Sequence, residues 1–158
     1  MKLLVAISQT PETTARIAFK DGGTAFDPSG VNFIMNPYDE WYALVRALEL
    51  KEEKGGSVTV IHCGPLANEV TIRKALAIGA DDAIRVDMEP DSAYAVAQQI
   101  AAHATTAGYD IIFTGKETID YNGSLVAGMV AGLLNLPFIS HASKMVFSGD
   151  KAIVTRDI

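Results

Sequence analysis

The segment Thr114–Ser124 is the part of the chain whose residue types and spacing offer the most chemistry. It leads into an apolar stretch that predicts a helix, with Ser124 as the N-cap and Gly115 as a sharp turn after a strand. The first N–H groups of a helix have no partner inside the helix and attract phosphate. Lys116 follows the first glycine instead of preceding the helix, so the segment is not a Walker loop. It predicts a phosphate site or, alternatively, an ordinary capped connection between a strand and a helix.

A second segment of interest is His62-Cys63-Gly64-Pro65, a tight turn at the end of a predicted strand. Gly64 permits close approach of a ligand to the backbone. Neighbouring residues of a strand point to opposite faces, so His62 and Cys63 do not form a nucleophile–base pair. We expect Cys63 to be a buried, unreactive thiol.

The third segment, Asn36-Pro37-Tyr38-Asp39, has the pattern of a helix start. Asn36 is predicted to be the N-cap, with Pro37 at the first helical position and Asp39 at the third, as in a capping box. A ligand contact from Asn36 would be additional to this structural role.

Five apolar runs predict the strands that position these segments. They are Leu3–Ile7, Ser57–Cys63, Ala83–Val86, Ile111–Thr114 and Phe138–Ser140. Strands without polar alternation are typical of a parallel sheet that is covered on both faces. Ligands bind beyond the carboxyl ends of such strands, which here means after residues 7, 63 and 114.

Helical patterns lie between the strands, so the chain is predicted to have an α/β fold with a mostly parallel sheet flanked by helices. The predicted helices are Trp41–Lys51, Glu69–Ile78, Ser92–Ala107 and Leu125–Leu134. The last is apolar on nearly every face and is expected to be buried. We expect one domain, 1–158, with a β-hairpin insertion at 10–35 and a terminal hairpin at 144–158.

Composition excludes several classes of protein. The 158 residues carry a formal charge of −6, which argues against nucleic-acid binding. The single cysteine excludes an internal disulfide, and no His/Cys/Asp/Glu group has the spacing of a metal site. No apolar run is long enough for a signal peptide or a membrane span, so we expect a cytoplasmic protein without membrane insertion. A Ser/His/Asp set or spaced carboxylate pair is also missing, which predicts no catalytic residues.

Four motifs in this order resemble the electron transfer flavoprotein beta subunit across essentially the whole chain. They are Asn36–Glu40, Cys63–Pro65, Ile72–Asp81 and Gly115–Asp120. The resemblance implies a Rossmann-like fold of the adenine nucleotide alpha hydrolase type. It also implies an alpha-subunit partner that carries most of the FAD contacts, and electron flow from acyl-CoA or other dehydrogenases to a quinone-linked or other acceptor oxidoreductase.

The resemblance further implies a pocket for AMP, which a second FAD occupies in bifurcating relatives. Carried over by position, its cofactor-binding residues are Ala6, Asn36, Pro37, Tyr38, Asp39, Cys63, Gly115, Lys116, Glu117, Thr118, Ile119, Asp120, Tyr121, Asn122, Gly123, Ser124, Leu125 and Val126. Backbone groups at Ala6 and Cys63 are expected to face adenine, and the N–H groups of 124–126 the phosphate. Many relatives have Asn-Gln-Thr at 124–126, so this chain keeps the backbone donors there but only one side-chain donor.

Two other classes of function compete with this interpretation. One is a stand-alone adenine-nucleotide-binding module that resembles a universal stress protein. The other is a nucleotide-dependent ligase or pyrophosphatase, which would need a Ser-Gly-Gly-x-Asp-type loop where this chain has Ser8-Gln9-Thr10-Pro11. Related beta subunits continue beyond the position of Ile158, so we expect an N-terminal part with an exposed sheet edge and a tendency to self-associate.

Overall fold

The computed structural model describes residues 1–37, 39–119 and 122–158. The strands are β1 (Lys2–Ala6), β2 (Gln9–Pro11), β3 (Ala18–Lys20), β4 (Ala25–Asp27), β5 (Phe33–Met35), β6 (Ser57–Cys63), β7 (Asp82–Val86), β8 (Ile111–Phe113), β9 (Ala142–Ser148) and β10 (Lys151–Arg156). The helices are α1 (Asp39–Lys54), α2 (Glu69–Ile78), α3 (Ala93–Ala107) and α4 (Val126–Leu134).

The central sheet is parallel and has the strand order β7-β6-β1-β8. Leu3 of β1 is in register with Val58 of β6 on one side and with Ile111 of β8 on the other. Chain order therefore reverses between β1 and β8, which makes the gap beyond their carboxyl ends the topological switch point.

Both faces of the sheet are buried, which explains why its strands lack polar alternation. Leu3 and Val5 belong to a core that includes Leu44 of α1, and α2 packs on the same side. Leu4, between them in sequence, belongs to a second core with Ile100 of α3 and residues of α4. Each such buried side chain contributes about 2 kcal/mol. The predicted Rossmann-like α/β fold is confirmed.

Two predictions about the segment after β8 are wrong. The run Phe138–Ser140 is not a strand, since it pairs with no strand of the described residues, and Phe138 is 51% exposed. Helix α4 is not buried all round. It packs one stripe, including Met129 and Val130, against the α3 side of the sheet, and leaves Leu133 44% exposed.

The remaining strands form antiparallel ribbons outside the central sheet. Strand β2 pairs with β5, and β3 pairs with β4, so the excursion between β1 and α1 is a hairpin built from two successive ribbons. Strand β9 pairs with β10 around a tight turn at Gly149, whose φ is +60°. The Arg46 guanidinium of α1 donates to the carbonyl of Met145 at 3.1 Å, which attaches this second hairpin to the α1 side.

Large apolar side chains are exposed in the C-terminal third of the chain. Leu136 and Ile139 follow α4, and Val146 and Ile153 lie on the second hairpin. Strand β8 ends the sheet, because among the described residues it pairs only with β1. None of the helices in the described ranges is long and apolar enough to cross a membrane.

Candidate functional site

Three of the predicted site segments meet at the carboxyl edge of the sheet. Ala6 ends β1, Cys63 ends β6, and Gly115 follows β8. Because β1 lies between β6 and β8, these positions are neighbours along one edge. The predicted loops are thus collected at the switch point, where open parallel sheets bind ligands.

The start of α1 holds the loop after β8 by both backbone groups of one residue. The side-chain amide of Asn36 donates to the carbonyl of Glu117 at 2.7 Å, and the Asp39 carboxylate accepts from the Glu117 N–H at 2.8 Å. The predicted capping box is therefore wrong. Helix α1 begins at Asp39, and the Asn36 and Asp39 side chains bond a distant loop instead of their own helix.

Gly115 is needed for close packing instead of for the sharp turn that we predicted. Its backbone is not in the left-handed region. A Cβ at this position would lie 2.8 Å from Cγ of Glu40 and 3.1 Å from Cβ of Asp39, closer than real Cβ contacts in the first case. A side chain would push the loop away from α1, so glycine allows the loop to lie directly on the helix.

Glu40 is a buried carboxyl at the centre of this edge, and sequence reasoning missed it. Its side chain accepts from the N–H of Ser8 and, at 2.6 Å, from the Ser8 hydroxyl. Burial raises its pKa to about 7, although the hydrogen bonds from Ser8 act in the opposite direction. Its position in the sequence could have indicated this burial. Glu40 lies three residues before Ala43 and four before Leu44, which places it on the buried face of α1.

His62 ties the end of β6 to the end of β1. Its Nδ1 lies 3.0 Å from the carbonyl of Ile7, and its Nε2 lies 2.9 Å from the side-chain nitrogen of Asn68. The carbonyl only accepts, so Nδ1 carries the hydrogen and Nε2 accepts from Asn68. Burial is the main cause that lowers the pKa of His62. This neutral ring packs against Gly64, where a Cβ would come within 2.5 Å of Nε2.

Cys63 is buried, as predicted, and is a free thiol. Burial raises its pKa to about 11, so the reactive thiolate is scarce at neutral pH. Within the described ranges, no three His, Cys, Asp or Glu side chains are grouped in a way that could hold a metal ion.

Thr118 closes the far part of the loop on itself. Its carbonyl accepts from the N–H of Asn122 at 2.8 Å, and its hydroxyl accepts from the N–H of Gly123 at 3.0 Å. The Thr118 N–H donates in turn to the carbonyl of Gly123 at 3.0 Å. Residues 118 and 122–123 thus form a compact unit just before α4.

Helix α4 starts without the side-chain cap that we predicted. The carbonyl of Leu125 accepts the first helical hydrogen bond, from the N–H of Met129 at 3.1 Å, so Leu125 is the N-cap. Ser124 stands one position too early for that role. Among the described residues, the N-cap position of α4 supplies no capping side chain.

The other predicted site residues are placed as follows. Lys116 and Glu117 pair through their side chains at 3.5 Å and are both partly exposed. Pro37 and Ile119 are half-buried. Tyr38, Asp120 and Tyr121 lie outside the described residues.

A model of the family described as "Electron transfer flavoprotein domain" matches residues 24–158. The chain belongs to the electron transfer flavoprotein family. Three similar curated proteins each bear the name electron transfer flavoprotein subunit beta. The one from Bacillus subtilis is 33% identical over 162 residues, which cover 100% of this chain and 62% of the relative.

The other two relatives are similar to the same extent. The protein from Thermoanaerobacterium thermosaccharolyticum is 36% identical over 160 residues, which cover 99% of this chain and 60% of the relative. The human protein is 35% identical over 164 residues, which cover 100% of this chain and 64% of the relative. The chain therefore spans less than two thirds of the length of these electron transfer flavoprotein subunits. The matches confirm the resemblance seen in the motifs, against the stress-protein and ligase alternatives.

Proposed function

We propose that this chain is the nucleotide-binding part of an electron transfer flavoprotein beta subunit. It pairs with an alpha subunit that carries most of the FAD contacts, and it holds AMP, or a second FAD, in its own pocket. The complex takes electrons from acyl-CoA or other dehydrogenases and delivers them to a quinone-linked or other acceptor oxidoreductase in the cytoplasm. Bound flavin supplies the redox chemistry, while the chain contributes binding and orientation and has no catalytic residues of its own.

The observation that carries the nucleotide pocket is an unpaired oxygen on Asn36. The residue is fully buried, yet its Oδ1 has no hydrogen-bond partner among the described residues. An unpaired buried acceptor costs about 1–3 kcal/mol. A ligand with an N–H donor at this edge would remove that cost, so the residues present fit an adenine nucleotide.

The orientation of the Asn36 amide supports a preference for adenine. Its nitrogen donates to the carbonyl of Glu117, which cannot donate in return, so the amide does not turn over. The free atom offered to a ligand is thus an acceptor. It suits the amino group of AMP and opposes the carbonyl that inosine monophosphate carries at the same place. Backbone groups at Ala6 and Cys63 complete the proposed adenine contacts.

The start of α4 supports phosphate binding in the same pocket. Within the described ranges its N-cap residue, Leu125, provides no side-chain cap, and the partial positive charge of a helix N-terminus favours an anion. In this proposal the donors are the N–H groups of Ser124, Leu125 and Val126 and the hydroxyl of Ser124. The Thr118 bonds to Asn122 and Gly123 hold the preceding backbone in place.

The nucleotide proposal is tested by denaturing the purified chain and identifying any released nucleotide by chromatography. Calorimetric titration of nucleotide-free chain with AMP, inosine monophosphate and FAD then measures each affinity. We expect AMP to bind at least about tenfold more tightly than inosine monophosphate, since one mispaired acceptor costs about 1.4 kcal/mol or more. Binding of neither AMP nor FAD, or equal binding of the two monophosphates, would contradict the proposed pocket.

The subunit proposal is tested by co-expression with an alpha subunit from the same source. We expect a yellow complex that carries FAD and co-elutes with the beta chain. The relatives are longer than this chain, so the experiment is made both with this chain and with the beta chain at the full length of the relatives. Failure of the longer chain to form any complex would contradict the proposal.

A further inference from the structure

Glu40 is a buried acidic residue that makes none of the proposed nucleotide contacts. It lies in the first turn of α1 and is 6% exposed. Burial of a carboxylate costs free energy unless hydrogen bonds compensate for lost water. The donors that compensate for it come from the segments that surround the pocket.

Three segments contact the Glu40 side chain. Ser8, just after β1, donates through its N–H and its hydroxyl, and the backbone of Asn36, before α1, lowers the pKa of the carboxyl. Gly115, after β8, lies so close that a Cβ would be 2.8 Å from the Glu40 Cγ. One side chain thus joins the end of β1, the entry to α1 and the start of the loop after β8.

We propose that Glu40 is the positioning residue of the candidate nucleotide pocket, holding Ser8, Asn36 and Gly115 in one geometry across the switch point. It acts through these residues and does not contact the nucleotide. The inference rests on the proposed function for the identity of the ligand. The coupling of the three segments through Glu40 is tested without any ligand.

The ionised form of Glu40 is the form that its hydrogen-bond donors favour, whereas burial favours the protonated form. A carboxylate only accepts, and the N–H and hydroxyl of Ser8 both donate to it, whereas a protonated carboxyl presents a donor and loses an acceptor. Protonation therefore loosens the hold on Ser8. Because burial raises its pKa to about 7, this change falls near neutral pH.

Few other charges face this carboxyl. Asp39, on the same helix, raises the pKa of Glu40 further. The loop after β8 brings Lys116 and Glu117, which pair with each other at 3.5 Å. The described residues just after β1 and just before α1, 7–10 and 36–37, include no titratable side chain. His62, on β6, donates to the carbonyl of Ile7, which shares a peptide unit with the Ser8 N–H, but its lowered pKa places its titration below 6.5, and Glu40→Gln keeps that titration. The step near pH 7 that Glu40→Gln removes is therefore the titration of Glu40.

The first test follows the backbone amide signals of Ser8 and Gly115 by NMR as the pH is varied. In the wild-type chain both signals should shift with a midpoint near 7. Glu40→Gln should abolish this titration, and the matched control Glu52→Gln, an exposed position of the same helix, should preserve it. Ser8→Ala should raise the midpoint, because the Ser8 hydroxyl lowers the pKa of Glu40. Amides that do not titrate, or that titrate equally in Glu40→Gln, overturn the inference.

The second test measures AMP affinity of the same variants by calorimetry. Relative to Glu40→Gln, the wild-type chain should lose about tenfold in affinity between about pH 8 and about pH 6, as expected for one linked group. The AMP phosphate also titrates in this pH range, but its effect is the same for both proteins and cancels in the ratio of their affinities. Parallel profiles of the two proteins overturn the inference. A chain that binds no nucleotide contradicts the proposed function instead, and the amide titration then decides the role of Glu40.

Discussion

The side-chain amide of Asn36 donates a 2.7 Å hydrogen bond to the carbonyl of Glu117, 81 residues further along the chain. Asp39 accepts from the N–H of the same residue at 2.8 Å. Both polar groups of one peptide unit are therefore satisfied by the start of α1. The conformation of the loop after β8 depends on this long-range contact as well as on the turn residues of the loop itself.

The contact predicts a coupled loss of stability. Asn36→Ala and Asp39→Ala should each lower the free energy of unfolding by about 1–3 kcal/mol, because each leaves a group of Glu117 without its partner. In the double variant the losses should fall short of additivity by about 0.5 kcal/mol or more, since both act on one residue. Urea unfolding of the four proteins measures this cycle.

Gln98→Ala provides the control for these variants. It removes an exposed side-chain amide from α3, and it should change the free energy of unfolding by less than about 0.5 kcal/mol. Strictly additive losses at Asn36 and Asp39 would show that the two side chains do not hold the loop jointly.

Gly115 and Gly132 give a matched pair of glycine substitutions. Gly115→Ala should cost about 1–3 kcal/mol, because its Cβ would lie 2.8 Å from the Glu40 Cγ and force the loop or helix to move. Gly132→Ala, in the middle of α4, meets no atom within 4 Å and should stabilise the chain by up to about 1 kcal/mol. Thermal unfolding measures both, and equal effects would contradict the packing role of Gly115.

The elements of the central fold could be predicted from the sequence because their signals are local. The predicted bounds of Ser57–Cys63 and Glu69–Ile78 match β6 and α2, and Gly79 is the C-cap of that helix. A strand that is covered on both faces is visible in the sequence as a continuous apolar run. A helix is visible through the period of its apolar residues and through the residues at its ends. The incorrect prediction of a strand at 138–140 shows the limit of these local signals, since an apolar run without a partner strand forms no sheet.

The sequence predicted which segments form the candidate site, but it did not predict the contacts between their side chains. The rule that ligands bind beyond parallel strands singled out the ends of β1, β6 and β8, and the structure brings these three ends together at one edge of the sheet. The caps assigned to Asn36 and Ser124 were wrong, because a polar side chain near a helix start has tertiary partners that local spacing does not reveal. The roles of Glu40 and His62 depend on contacts with Ser8 and Ile7, which the fold creates.

His62 should stay neutral and keep its hydrogen on Nδ1 below the pH at which an exposed imidazole protonates. Long-range ¹H–¹⁵N correlation spectra should show this tautomer, with the exposed His141 as the internal reference. Its pKa is lowered in the folded state, so its contribution to stability is present above the ordinary value of 6.5 and is lost as pH falls below it. An Nε2–H tautomer would contradict the bond to Ile7.

The apolar side chains after α4 lead us to expect self-association. Phe138 and Ile139 are 51% and 47% exposed, and among the described residues β8 is an edge strand of the sheet. Light scattering should give a mass that rises above 16.8 kDa with concentration. Phe138→Ser should reduce this rise, whereas Tyr94→Ser, an equally exposed aromatic on α3, should not. A monodisperse monomer at all concentrations would contradict the expectation.

Glu40→Gln should make the chain more stable at alkaline pH even as it weakens the pocket. The folded-state pKa of Glu40 is about 7 against a reference of 4.5, so the wild-type chain is stabilised by protonation below 4.5 and loses that stability as pH rises through 7. The loss amounts to about 3 kcal/mol at most. Glutamine does not titrate, so urea unfolding should show the two chains converging toward pH 4.5 and diverging by pH 8, with Glu40→Gln the more stable. A difference independent of pH would mean that Glu40 is already ionised when the chain folds in mild acid, and that the cost of its burial is met by its hydrogen bonds from Ser8.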